Sequence, residues 1–233
     1  MSWDISTIKK RVRNLCSLQS TNDLSESNLL DYINRFYKWQ LHKELKPFQL
    51  KTWYEIDLAA GTEEYDLAED FYDTYVKVAT PAYISETSGR KEYELSVYYN
   101  LEQFYTIWTE GVDYSDSDER GRPSSLLIYD NKLLFRKVPD DTYYLTMQAM
   151  RKPLVYVNGV STTTSTEFVN DADVPENESW GQIVVYGTAK SILEELGDLA
   201  SLQLVMGMYA EEKDNVHNMT FNWLDKTRAR PKF

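Results

Sequence analysis

Hydrophobic periodicity changes twice along this chain, and those two changes restrict the fold more than any other feature. Residues 1–49 carry apolar side chains at helical spacing, residues 50–173 alternate at period two between turns, and residues 174–233 return to helical spacing. Ile5, Ile8, Val12 and Leu15 form the first stripe, with Leu18 behind them, and Ser2 or Asp4 is placed to cap it. Thr21-Asn22-Asp23 interrupts the pattern. A second helix is predicted from Ser25, with Leu30, Ile33, Tyr37 and Leu41 in one stripe, Leu29 and Phe36 beside it, and Pro47 as its stop. The short connection predicts an antiparallel pair.

From Leu50 onward Thr52, Tyr54, Ile56 and Leu58 alternate with Lys51, Trp53, Glu55 and Asp57, the signature of a half-buried strand. Further strands are expected at 74–84 and 92–99, with Asn100 capping a short helix. Ser125–Tyr129, the Asp130-Asn131 turn and Lys132–Lys137 read as a tight hairpin. Thr142–Arg151 follows Pro139-Asp140-Asp141 and is expected to complete a three-stranded antiparallel meander. Asn158–Asp173 is rich in Ser, Thr and Asp and reads as a loop or small extension. Helix is predicted again from Pro175, a residue suited to a first helical turn. Trp180, Ile183, Val184, Ile192 and Leu196 give its apolar side, and Gly197 a cap or bend. The closing helix, about 198–224, turns Leu202, Val205, Tyr209, Val216, Met219 and Trp223 inward. The expected class is therefore α+β: a bundle of about four helices drawn from both termini (1–49 and 174–233) with an inserted antiparallel β domain at 50–173. Neither helical end is long enough to bury its stripe alone.

Few classes of chemistry survive inspection. The two histidines, His42 and His217, sit in helical patterns without a nucleophile motif nearby. The single Cys16 allows no internal disulfide, falls on a helix, and is expected to be a small buried side chain. One cysteine and two separated histidines do not make a zinc site. Asp116, Asp118 and Gly121 partly imitate a calcium loop, but Arg120 stands where an oxygen ligand belongs and Leu127 where the closing Glu belongs. Glu63, Glu64, Asp66, Glu69 and Asp70 form an acidic cluster from which a wall hydrolase would need two carboxylates facing across a cleft, Glu64 among them. There is no phosphate-binding glycine loop, and no cofactor or metal is expected. Eighteen Tyr and six Trp suit both strands and protein–protein contact surfaces, or a glycan-binding module that stacks rings on sugars. A formal net charge of −12 repels phosphate, which disfavours broad nucleic-acid binding and suits either solubility or a wall that DNA passes without adhering. No apolar run is long enough to span a bilayer, and the first residues lack the features of a signal peptide, so a cytoplasmic protein, or a particle assembled in that compartment, is expected. The final stretch, Lys226-Thr227-Arg228-Ala229-Arg230-Pro231-Lys232-Phe233, is basic and lacks a core pattern, and is expected to be mobile in isolation.

The order of these signals resembles the head-to-tail connector, or adaptor, proteins of short-tailed bacteriophages, of the tail tubular protein A type. The N-terminal helix pair carries the resemblance, with Ala60-Gly61-Thr62-Glu63-Glu64-Tyr65-Asp66-Leu67-Ala68-Glu69-Asp70-Phe71, then Gly121-Arg122-Pro123, then Leu133-Leu134-Phe135 and Pro139-Asp140-Asp141-Thr142-Tyr143. Trp180, Val185-Tyr186-Gly187-Thr188-Ala189 and a long closing helix complete it. Ala68 departs from the Pro usual in the family's Leu-Pro-x-Asp-Phe segment. The resemblance implies a non-enzymatic virion protein in the neck of the particle. It implies a homo-oligomeric ring, typically of twelve copies, with the portal protein above and the tail nozzle or tube protein below. Helices would line the DNA channel and the β part would face outward. On this reading Lys226, Arg228, Arg230, Lys232 and Phe233 are candidate portal contacts that order on docking against an acidic groove.

Overall fold

A computed structural model of the chain describes residues 3–18, 23–45, 50–68, 71–107 and 120–227, with side chains as far as residue 218. It is a mixed α+β protein that divides into two compact units, Met1–Leu50 with Lys152–Phe233, and Lys51–Arg151.

The first unit holds α1 (Ile5–Leu15), α2 (Glu26–Arg35), a π-helical turn (Phe36–Gln40), α3 (Leu41–Leu45), α6 (Gly181–Leu196) and α7 (Leu199–Thr227). Asp4 caps α1 by accepting from the Thr7 N–H, and Ser25 caps α2 by accepting from Asn28. Ile5, Ile8, Val12 and Cys16 are buried, so the α1 stripe runs on into Cys16, and Leu15 is only half-buried. Contrary to the expected pairing of α1 with α2, both helices pack on α6, which also contacts α7. The reason is composition. α6 buries Ile183, Val184, Val185, Gly187, Thr188, Ala189, Ile192 and Leu193, close to its whole circumference over its first three turns, so it is the central rod. Gly187 lets Phe36 approach: a Cβ there would overlap the phenyl ring. Gly181 does the same for Trp3. The helix ends at Gly197, whose φ of 71° gives a left-handed cap.

Residues 152–176 also belong to this unit. β9 (Val155–Tyr156) pairs with β10 (Thr164–Ser165) and β11 (Val174–Pro175) in a small antiparallel sheet. Pro175 is thus a strand residue, and α6 begins only after a 3₁₀ turn at Glu178–Trp180. Buried Asp173 organises the segment by accepting from the N–H groups of Asn158, Val169 and Asn170 at 2.8–2.9 Å. The Ile5 N–H donates to the Asp173 carbonyl, and Asn34 exchanges two hydrogen bonds with the Phe168 backbone.

The second unit contains β1 (Lys51–Leu58), β2 (Glu64–Asp66), α4 (Phe71–Thr74), β3 (Tyr75–Ser85), β4 (Tyr93–Glu94), β5 (Ser96–Tyr98), α5 (Leu101–Ile107), β6 (Ser125–Tyr129), β7 (Lys132–Arg136) and β8 (Tyr143–Arg151). One sheet has the order β1-β8-β3-β4 and another β2-β7-β6-β5. All the pairs are antiparallel except β5–β6, which is parallel. The hairpin β6–β7 turns at Asp130 and Asn131, both with positive φ, as its two-residue loop requires. The expected meander does not continue: β8 leaves for the other sheet. β7 is already flanked by β2 and β6, so both its edges are taken, and β8 pairs instead between β1 and β3. Leu58, Phe71, Ile84, Leu126, Phe135, Leu145 and Met147 centre the core of this unit.

Candidate interaction surfaces

The residues that invited an enzymatic reading are occupied otherwise. Glu63 pairs with buried Arg136, and Glu64 pairs with Lys132 across the β2–β7 ladder. Glu69, Asp70 and the acidic loop at 113–119 lie outside the described residues. Cys16 is buried against the Ala189 carbonyl. Burial, aided by the charge of Asp198, pushes its thiol up to about 11, which leaves it inert at neutral pH. His42 is buried, and His217 sits half-buried on α7. Among the described residues no group of three His, Cys, Asp or Glu side chains is placed to hold a metal. No described helix is long and apolar enough to cross a membrane.

What these units do present is shaped surface. In the β unit two open clefts, of about 280 and 240 Å³, flank the Tyr129–Asn131 turn. Tyr129 and Asp130 line both, with Tyr105 and Leu101 on one side and Tyr72 and Tyr99 on the other. Tyr72 donates its hydroxyl to Asn131 at 2.5 Å, fixing one wall. Tyr72, Tyr99 and Tyr129 remain about half exposed. Elsewhere in that unit Lys91 covers the Trp53 ring at 3.2 Å and Arg122 covers Tyr93 at 3.6 Å, so those aromatic faces are shielded by cations.

In the helical unit a cleft of about 650 Å³ is lined by Ser6, Lys9, Lys10, Arg13, Asn14, Glu26 and Asp171. Two of its cations are tied down: Lys9 pairs with Asp171 at 2.7 Å and Arg13 with Glu26 at 2.8 Å. Trp39, on the π-helical turn, stands 47% exposed with the Lys152 ammonium 4.1 Å from its ring centre. The corner from α6 into α7 exposes Leu196, Leu199, Leu204 and Met206. Leu196, expected on the inner side, is 57% exposed at the last position of α6, beside the Gly197 cap. Val205, Tyr209 and Val216 lie inward as expected, and the side chains of Met219 and Trp223 lie outside the described residues. Lys226 falls near the end of α7 with its side chain outside the described residues, and Arg228, Arg230, Lys232 and Phe233 lie outside them too.

No charge pattern in the sequence announced the tyrosine clefts, since their walls come from segments distant along the chain. No curated protein matches the chain. The SU10 adaptor protein family matches residues 3–222, a span that takes in both compact units and the whole series of motifs from Gly61 to the closing helix. The match covers most of the chain, and the chain belongs to the SU10 adaptor protein family of phage structural adaptors.

Proposed function

We propose that this protein is the head-to-tail adaptor of a short-tailed phage. Copies close into a ring, twelve in the virion, that joins the capsid portal to the tail nozzle and continues the DNA channel. The observation that carries this reading is the family match across 3–222. In the particle, the helices of the first unit act as one bundle on the channel and portal side, and the β unit, 51–151, faces outward and supports tail components. A chain of net charge −12 along the channel keeps the genome from adhering as it leaves. Closing a ring requires heterologous contacts, so each copy presents two different faces to its neighbours. The basic end, with Lys226, Arg228, Arg230, Lys232 and Phe233, docks on the portal.

Phage carrying an amber stop in this gene is expected to yield DNA-filled heads without tails, to which the purified protein restores tail attachment. Fully tailed particles without the protein would overturn the reading. Deleting residues 226–233 is expected to abolish capture by the portal, and unchanged capture would remove the tail from the proposal.

A second reading, a glycan-binding module, draws support from the clefts beside Tyr72, Tyr99 and Tyr129. Stacking of sugar rings on these side chains would show as binding on a glycan array that Tyr129→Ala abolishes. The hydrolase reading has no such support, because Glu64 is engaged by Lys132.

A further inference from the structure

Helix α7 carries a feature that its own unit does not explain. From Leu199 to Ala210 it reads LASLQLVMGMYA, without one charged residue, in a chain that is 27% charged. An uncharged helix segment, polar only at Ser201 and Gln203, is ordinarily covered on most of its sides. Here only Val205 and Tyr209 of that segment are buried. Leu199 is 70% exposed, Leu204 63% and Met206 48%.

The exposed side chains fall on two separate faces. Met206 lies seven residues beyond Leu199, two turns along, and shares its side of the helix. Leu204 is five residues from Leu199, about 140° away at roughly 100° per residue. Gly207 lies between these faces, and a Cβ added there would touch nothing within 4 Å. A glycine inside an exposed helix is less stable there than alanine, and nothing in the unit fills the slot it leaves.

Charge identifies the occupant. Two copies of a chain carrying −12 repel each other, so they meet most easily across a surface free of charge. The segment 199–210 is such a surface. It also offers what a closed ring needs: two different apolar faces on one element, with protruding leucines beside a glycine slot that a leucine can enter. We propose that the first half of α7 is the side-to-side contact between copies, the Leu199–Met206 face of one copy meeting the Leu204–Gly207 face of the next. This rests on the ring reading above and names the surface that closes it.

The test uses particles assembled from the full-length chain. Leu199→Cys and Leu204→Cys are introduced singly and together, and purified virions are treated with a short bis-maleimide. Native Cys16 is buried and stays unmodified. The double variant is expected to give a ladder of multiples of 27.3 kDa beyond the dimer, and each single variant only monomer. Incorporated protein that gives no ladder overturns the proposal. So does cross-linking solely to a different virion protein, or dimers from a single variant, which would mark a two-fold contact. Absence of the chain from the particles would instead defeat the adaptor reading itself, so the two failures are distinct.

Discussion

Two glycines on helices of the same unit have opposite surroundings, and their alanine variants separate a packed site from an empty one. At Gly187 the added methyl overlaps the Phe36 ring, which is itself buried. Overpacking of this kind costs about 1–3 kcal/mol, so thermal unfolding of Gly187→Ala is expected several degrees below the parent. Gly207→Ala meets nothing, and is expected to raise the stability of the isolated chain by up to about 1 kcal/mol. Asp173 supplies a third residue-level test. Burial opposes its charge, yet the N–H groups of Asn158, Asn170 and Val169 prevail and hold its carboxyl below the usual carboxylate range. A depressed folded-state pKa stabilises the protein above the unfolded value, near 3.9, and that contribution fades as pH falls through the folded value. Denaturant titrations should therefore show Asp173→Asn destabilised by about 1–3 kcal/mol at pH 7, with the gap to the parent narrowing below about pH 4. Such a residue is not legible in the sequence. Asn158–Asp173 has the composition of a solvated loop, and only the folded chain shows that one of its carboxylates is fully enclosed.

Among the elements, those whose signal is local were readable and those whose signal is long-range were not. The α1 stripe, the alternation in β1 and the Asp130-Asn131 hairpin all follow from neighbours a few residues apart. The destination of β8 depends on β1 and β3, whose nearest ends lie more than fifty residues away by sequence number, so periodicity could not choose between a meander and a change of sheet. The π-helical turn was equally hidden. It adds one residue to the turn, so Phe36 and Tyr37, then Leu41 and His42, all point inward, while Trp39 is left outside. The exposed part of α7 coincides with the uncharged stretch 199–210. α7 is tied to α3 by the Tyr209 hydroxyl, which donates to Glu44. Burial and that hydrogen bond push the Tyr209 pKa upward. Tyr209→Phe is expected to cost about 1 kcal/mol and to speed amide exchange in residues 205–216 more than in α6.

At the scale of the whole molecule, the two connections between the compact units lie side by side. Lys51 pairs with Met150 in the β1–β8 ladder, so the chain leaves and re-enters the β unit at neighbouring positions. That unit has its own core, centred on Phe71, Phe135 and Leu145. A fragment spanning 51–151 is thus expected to fold alone with a cooperative thermal transition. The reciprocal chain, with Leu50 joined to Lys152 by a short Gly-Ser linker, is expected to keep its helical circular dichroism. Loss of a cooperative transition in the first would show that the sheets depend on the helices.

The discontinuity of the helical unit also sets a timetable for synthesis. α1 and α2 leave the ribosome early, but the rod they pack on, α6, ends at Leu196. At about 5–20 residues per second the ribosome needs roughly 8–30 s to add the intervening stretch. During that interval the sheets can form while Ile5, Ile8, Leu29 and Ile33 remain wet. The nascent protein thus holds an unsheltered greasy arm until α6 has been made, and that is the period when a chaperone has most to hold.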